Sequence, residues 1–177
     1  MNDKLVTLIQ KEISYLQSIT INVKQPRKIK IEDIKNFDKN LFEDLASFNG
    51  LAIYIITINT DFEDFDLNKI KENFKIIKNE KQIAMCRLNE KNWGNTQNKC
   101  LYVGSSKEII KRLKEHLGIN EAKKTYALHL NKWWGKENIN IDIYEFDNNE
   151  NNEKDVQTFE DLLWEEYKPL FGRQGKK

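Results

Sequence analysis

The stretch 101–116 constrains the fold more than any other part of the chain, because a strand pattern changes into a helix pattern within a few residues. A short apolar run ends at Gly104, where we expect a turn, and apolar side chains then recur at helical spacing. Ser105 is the predicted N-cap of this helix, and Glu108 completes a capping box. The stretch therefore predicts a strand, a tight turn and an amphipathic helix in direct succession.

The polar face of this helix carries Glu108, Arg112 and His116, which are one turn apart and therefore in line. The predicted strand that precedes the helix carries Tyr102. One short segment thus brings a phenol, a guanidinium and an imidazole toward the same place. Taken alone, a strand tyrosine is usually a packing residue, and Glu108 with Arg112 is equally compatible with a surface ion pair.

Periodicity along the rest of the chain favours an α+β fold over a doubly wound sheet, since strand and helix patterns are intermixed without regular alternation. Amphipathic helix patterns occupy the ranges 3–19, 34–45, 67–77, 123–134 and 156–164. Strand patterns occupy 51–58, 83–86 and 139–143, and 20–31 is predicted to be extended in pieces. If the strand that begins at Cys100 pairs with the strand at 51–58, an antiparallel sheet results.

The composition is that of an ordinary globular domain, with 39% apolar and 32% charged residues in a chain of 177. The longest apolar run, 51–56, is far too short to cross a bilayer, and charges among the first residues do not fit a signal peptide. The two cysteines, Cys86 and Cys100, have no neighbouring histidines, so we expect reduced, buried thiols and no zinc site. These features predict a cytoplasmic protein with no membrane partner.

The net charge is only +1, but the basic residues are concentrated in two places. The range 107–136 holds eight Lys or Arg residues, and the last ten residues hold four without any acid, whereas 137–166 is strongly acidic. A basic sector around Tyr102 suits a partner that carries phosphates. Ordinary solvated helix faces explain the same counts, and charge alone does not decide between the two interpretations.

Several chemistry-bearing residues follow one another in a recognisable order: Ala52-Ile53-Tyr54, Tyr102-Val103-Gly104, Arg112, His116, and Glu160 nine residues before Pro169. This ordered set resembles the GIY-YIG nuclease family, which includes bacterial excision-repair nucleases, phage homing endonucleases and some restriction enzymes. The resemblance covers roughly residues 50–173, and the stretch 102–116 is its most specific part.

The resemblance implies a small, mainly antiparallel sheet flanked by helices, and metal-dependent hydrolysis of a phosphodiester bond. It implies that Tyr54 and Tyr102 are the two motif tyrosines, that Arg112 is the catalytic arginine, and that His116 is its partner on the helix. Glu160 is implied to be the single metal ligand, for Mg²⁺ or Mn²⁺. Phosphodiester cleavage needs an activated water, a neutralised charge and a stabilised leaving oxygen, which these residue types can supply. Which tyrosine activates the water stays open.

The chain departs from the family pattern in three respects. Ala52 stands where the first glycine is usual, and Gly172 stands where an asparagine often follows the proline. The two half-motifs usually lie close together, whereas residues 55–101 separate them here. The predicted organisation is an N-terminal helical extension at 1–49 and a nuclease domain at 50–177, with an inserted helix and strand at 59–99.

The sequence therefore predicts a metal-dependent endonuclease that acts on DNA, of restriction, repair or mobile-element type, with homodimer formation left open. The predicted catalytic residues are Tyr54, Tyr102, Arg112, His116 and Glu160, and the predicted substrate-binding residues are Ser105, Lys107, Lys111, Lys123, Lys124 and Arg173. One alternative is a nucleic-acid-binding module of the same fold without catalysis, which the missing asparagine supports. Another is an interaction protein in which the motif is accidental.

Overall fold

The computed structural model describes residues 7, 10, 11, 13, 14, 25–36, 39–46, 48, 50–59, 66–80, 83–94, 99–120, 126–135, 138–146 and 153–175. The predicted helix at 3–19 falls largely outside the described residues, and so do Lys123 and Lys124.

Four strands form one sheet: β1 (Arg27–Ile31), β2 (Leu51–Ile58), β3 (Cys100–Ser106) and β4 (Ile139–Phe146). Their order in the described part of the chain is β1-β4-β2-β3, and every pairing is antiparallel. Among the described strands, β3 pairs with β2 alone, so it is an edge strand of this sheet. The predicted α+β class and the predicted pairing of the first motif strand with the strand at Cys100 are both confirmed.

The α-helices of the described residues that have full boundaries are α1 (Leu67–Asn79), α2 (Ile109–Leu117), α3 (Leu130–Trp133) and α4 (Glu153–Tyr167). Short 3₁₀ helices lie at Lys39–Leu45 and Glu90–Gly94. None of the helices in this part of the chain has the length and apolar character needed to cross a membrane.

The sheet is buried on both faces, which explains why β2 is apolar at nearly every position. Side chains of α1, α2 and α3 pack on one face, which we call the α2 face, and α4 packs on the other, the α4 face. On β2, Tyr54 and Ile56 belong to the core of the α2 face, while Ile53 and Ile55 belong to the α4 face. This division follows from the alternation of side chains along a strand.

A bulge in β3 changes the direction of its side chains just before the motif. Ile56 pairs with Tyr102 and the next residue, Thr57, pairs with Cys100, so Leu101 is an extra residue on β3. A bulge of this kind interrupts the alternation, and Leu101 and Tyr102 both pack into the core of the α2 face. Tyr102 consequently lies on the side of the sheet that α2 covers.

The predicted capping of α2 is wrong, because β3 extends further than the turn signal indicated. Ser105 pairs with Ile53 inside the sheet, and the N-cap is Glu108, whose side chain makes no capping hydrogen bond with the described residues. The Oγ of Ser106 accepts the backbone N–H of Glu108 at 3.0 Å instead. Ser105 lies on the α4 face, away from the helix that it was expected to cap.

The predicted helix at 123–134 is also wrong over most of its described length, since helical structure is confined to α3. Tyr126 is 67% exposed rather than packed inward, and Ala127 forms an isolated bridge with Met85. His129 has a φ of 52°, a left-handed conformation that interrupts a right-handed helix.

Other predicted elements differ less. The strand predicted at 83–86 contributes only isolated bridging in the described residues, and the helix predicted at 34–45 is a turn followed by a 3₁₀ helix. Helices at 67–77 and 156–164 and the strand at 139–143 are confirmed as parts of α1, α4 and β4. The division at residue 49 stays a prediction, and β1, which precedes it, is hydrogen-bonded to β4.

Candidate active site

Two tyrosine rings lie side by side on the α2 face. The ring centroids of Tyr54 and Tyr102 are 6.0 Å apart, and the ring planes are 8° from parallel. Gly104 pairs with Tyr54 across the two strands and lies close to both rings. A Cβ at residue 104 would be 2.8 Å from the Oη of Tyr54 and 2.7 Å from the Cε1 of Tyr102. The close approach of the two phenols therefore requires glycine at this position.

His116 is completely buried and holds one of the phenols. Its Nε2 is 2.9 Å from the Oη of Tyr54, and its Nδ1 accepts the backbone N–H of Leu128 at 3.2 Å. Burial, together with the charge of Arg112, holds the pKa of His116 well below its ordinary value, so the ring is neutral. Because Nδ1 is an acceptor, the proton of the neutral ring is on Nε2, which donates to Tyr54.

Arg112 connects the two phenols. Its Nε donates to the Oη of Tyr54 at 3.3 Å, and its Nη2 donates to the Oη of Tyr102 at 3.5 Å. Its Nη1 donates to the carboxylate of Glu115 at 2.9 Å, and Nη2 also donates to the backbone carbonyl of Tyr126 at 2.6 Å. These acceptors fix the plane of the guanidinium, which a lysine ammonium cannot reproduce.

The two phenols differ in access. Tyr54 is only 1% exposed, and its Oη accepts hydrogen bonds from both His116 and Arg112. Tyr102 is partly exposed and lines an open pocket. Burial raises the pKa of both phenols, while the charge of Arg112 opposes that rise. Tyr102 is therefore the phenol that a bound molecule can reach.

The open pocket beside Tyr102 and Arg112 has a volume of about 540 Å³. Among the described residues, its charged lining is entirely basic and consists of Lys78, Arg87, Arg112 and Arg173, so we call it the basic pocket. Apolar atoms of neighbouring residues and the exposed side chain of Tyr126 complete the lining. A lining of this kind attracts a ligand that carries phosphate.

Glu160 reaches the site from the α4 face. Its Oε2 accepts a hydrogen bond from the Oγ of Ser105 at 2.5 Å. Burial raises the pKa of Glu160, and the bond from Ser105 and the charge of Arg112 oppose that rise. The charge of Glu160 in turn raises the pKa of Tyr54 and of Tyr102. Groups on the two faces of the sheet therefore influence one another electrostatically.

Glu160 has the chemistry of a ligand for a hard cation. A divalent cation beside a partly buried carboxylate favours its ionised form. Within the described residues, no group of three or more His, Cys, Asp and Glu side chains could hold a metal ion. A lone carboxylate nevertheless fits Mg²⁺, which usually keeps several waters and binds through one or two carboxylates together with substrate phosphates.

Comparison with known proteins shows what this part of the chain is similar to. The family model of the GIY-YIG catalytic domain matches residues 92–174. This range is therefore a GIY-YIG catalytic domain. The matched residues include Tyr102, Arg112, His116 and Glu160, so the family resemblance predicted from the sequence is confirmed. None of the curated proteins or solved structures compared with the chain gives a match.

Tyr54 lies outside the residues that the GIY-YIG model matches. The pairing of β2 with β3 nevertheless makes Tyr54 the cross-strand neighbour of Gly104, and its Oη contacts His116 and Arg112. Ala52, which replaces the first motif glycine, is buried in a regular part of β2. The long segment between the half-motifs therefore does not prevent Tyr54 and Tyr102 from lying on paired strands.

Gly172, which replaces the usual asparagine of the GIY-YIG pattern, has a packing reason. Its φ is 94°, and a Cβ there would lie 2.9 Å from the Cε2 of Tyr102. Its backbone N–H donates to the carbonyl of Arg87 at 2.8 Å. A larger residue at 172 would therefore be strained and would press on a motif tyrosine.

The predicted substrate-binding residues lie in different surroundings. Ser105 contacts Glu160, Lys107 forms an ion pair with Glu153, and Lys111 forms an ion pair with Glu108 at 2.8 Å. Arg173 lines the basic pocket. Lys123 and Lys124 lie outside the described residues.

Sequence reasoning missed the residues that surround Arg112. Glu115 forms an ion pair with Arg112 at helical i,i+3 spacing. The sequence pattern had indicated Glu108, four residues before Arg112, as the ion-pair partner. Arg87 and Lys78 come from the segment between the half-motifs, and Tyr126 comes from a range predicted to be helical and inward-facing. Only the tertiary structure brings these three residues to the candidate site.

Proposed function

We propose that this protein is a metal-dependent endonuclease that hydrolyses phosphodiester bonds in DNA, in restriction, repair or mobile-element biology. The observation that carries the proposal is the position of Arg112. This guanidinium contacts the phenols of Tyr54 and Tyr102 and also lines the basic pocket. The match to the GIY-YIG catalytic domain supports a nuclease. The excision-repair, homing and restriction enzymes that the sequence resembles favour DNA as the substrate.

Arg112 has the central role in this proposal. Its fork donates hydrogen bonds to non-bridging oxygens of the scissile phosphate and stabilises the charge that develops there. Tyr102, the accessible phenol, orients the attacking water. In its ionised form, Tyr102 also accepts a proton from that water. Burial raises the pKa of Tyr102 and Arg112 opposes the rise, so cleavage is expected to become faster as pH increases above neutral. Tyr54 and His116 act as positioning residues for the guanidinium.

Glu160 would hold the cation, Mg²⁺ or Mn²⁺, with substrate oxygens and waters as the remaining ligands. When bound, such an ion neutralises charge on the phosphate and on the leaving oxygen. Ser105 keeps the carboxylate of Glu160 in place through its hydroxyl. Arg173 in the basic pocket is proposed to bind substrate. Lys107 and Lys111, which line a second pocket at the start of α2, are proposed to bind it as well.

The experiment that tests the proposal is a cleavage assay on supercoiled plasmid, single-stranded DNA and RNA, with Mg²⁺, with Mn²⁺ and with EDTA. We expect metal-dependent nicking of DNA by the wild type. Removal of one charge-stabilising group typically lowers the rate by about 100-fold or more, so Glu160→Ala and Arg112→Ala should both lose nicking.

The matched control is Glu166→Ala, because Glu166 is an exposed glutamate on the same helix as Glu160. This variant should cleave like the wild type. Circular dichroism and thermal unfolding would verify that every variant is folded. Equal background nicking by all four proteins on every substrate would refute the enzyme and favour a binding module; faster cleavage of RNA than of DNA would refute the assigned substrate.

A further inference from the structure

We propose that the basic pocket binds an unpaired nucleotide next to the scissile phosphate, with Tyr126 stacking on its base and Arg87 and Arg173 holding its phosphate. This inference rests on the proposed nuclease function, because it names the part of the nucleic acid that the site receives. It also gives the segment between the two half-motifs a role in substrate recognition.

The basic pocket has the size and the lining that a nucleotide requires. Its volume of about 540 Å³ lies within the range of small-molecule sites, which is about 300–1,000 Å³. Met85 and Cys86 supply apolar surface, while Tyr102 and Tyr126 supply aromatic rings. Apolar and aromatic groups suit a base, and the surrounding cations suit its phosphate.

Arg87 and Arg173 are the cations best placed to hold that phosphate. Among the residues that the structure describes, neither forms an ion pair with an acid. Lys78, by contrast, donates to the carbonyl of Cys86 at 2.9 Å. The hydrogen bond from Gly172 N–H to the carbonyl of Arg87 joins the two segments, so the arginines come to the same pocket.

Tyr126 selects an unpaired nucleotide. It is 67% exposed, and its backbone carbonyl accepts a hydrogen bond from Arg112, so the position of this residue is coupled to the guanidinium. Stacking on an aromatic side chain requires a base whose face is uncovered. Within a duplex, neighbouring base pairs cover both faces, and a paired base must leave the stack to be contacted in this way.

Fluorescence anisotropy in EDTA tests the pocket without cleavage. The probes are a short labelled single-stranded DNA and the duplex of the same sequence. Tyr126→Ala should weaken binding of the single strand about tenfold, since stacking contributes that order of affinity, and should change duplex binding little. Tyr126→Phe should bind like the wild type. Arg87→Ala and Arg173→Ala should each weaken binding and lower the slope of log affinity against log salt by about 1.

Lys28→Ala is the matched control, because Lys28 is an exposed cation on β1 and does not line the basic pocket. It should leave both affinities unchanged. The proposal is overturned if Tyr126→Ala binds the single strand like the wild type, or if it weakens both probes equally. Glu160→Ala retains the pocket, so it separates the two ideas: loss of nicking with normal single-strand binding supports the nuclease, whatever the Tyr126 variants show.

Discussion

The two faces of the sheet hold the candidate site in different ways. On the α2 face, Tyr54, His116 and Arg112 are buried or partly buried and are hydrogen-bonded to one another. On the α4 face, Glu160 is a partly buried carboxylate held by Ser105. The groups of the α2 face satisfy each other without a ligand, whereas burial disfavours the ionised form of the Glu160 carboxylate, a cost that a cation would offset.

This difference separates the contributions of the two faces to stability and to function. Substitutions in the α2-face network should reduce both the free energy of unfolding and activity, because they leave buried donors without acceptors. Substitution of Glu160 should remove activity while it relieves an unfavourable buried charge. Sites of this second kind are common where function requires a group that the fold alone would not favour.

The largest expected effect is the loss of cleavage in Arg112→Lys. The substitution keeps the positive charge but loses the fork that contacts Tyr54, Tyr102 and Glu115. We expect the cleavage rate to fall by about 100-fold or more, as when a preorganised donor is removed. Arg27→Lys, at an exposed position on β1 outside the basic pocket, is the matched exchange and should cleave normally. Substantial activity in Arg112→Lys would show that charge alone is sufficient on the α2 face.

The two tyrosines give the next largest effect and a test of their separate roles. Tyr54→Phe leaves the Nε2–H of His116 and the Nε–H of Arg112 without their acceptor, which should lower the free energy of unfolding by about 1–3 kcal/mol. Tyr102→Phe should change the free energy of unfolding by less than about 0.5 kcal/mol, because its contact with Arg112 is long. It should nevertheless slow cleavage by about 100-fold, as when a general base is removed. Urea unfolding and plasmid nicking measure the two quantities. Equal destabilisation by both substitutions would contradict the assigned roles.

Much of the α2 face was predictable because its signals are local. The stretch 101–116 contains a strand, a glycine and a helix face, and a helix places Arg112 and His116 in line whatever surrounds it. Family resemblance then added Glu160, which shows no local signal of its own. The extent of β3 was not predictable, because serine occurs both at helix N-caps and in strands. Ser105 is a strand residue in the structure.

The basic pocket could not be predicted because its parts meet only through tertiary contacts. Arg87 is positioned by the hydrogen bond from Gly172, and Tyr126 by the hydrogen bond from Arg112. Counting charges along the chain indicated Lys111 as a substrate-binding residue. Lys111, however, forms an ion pair with Glu108, three residues before it. Charge counts record where cations occur but not which of them have partners.

The smallest expected effect, and the sharpest test of the contrast between the faces, is the stability of Glu160→Gln. Burial raises the pKa of Glu160 in the folded state, so the folded protein binds this proton more tightly than the unfolded chain does. The stabilising contribution is present below the ordinary pKa of the carboxyl group and is lost as pH rises through the folded-state pKa. Glutamine cannot ionise, so Glu160→Gln should be more stable than the wild type at neutral pH, by at most about 1 kcal/mol.

Thermal unfolding from pH 4 to pH 8 measures this difference, which should shrink toward the acid end. Ser105 can still donate to the amide oxygen of the substituted side chain, so the hydrogen bond is retained. Glu166→Gln, an exposed position on α4, should show no comparable dependence on pH. If Glu160→Gln is instead less stable at neutral pH, the ionised carboxylate contributes to folding. The α4 face would then resemble the α2 face, and the site would be complete without a cation.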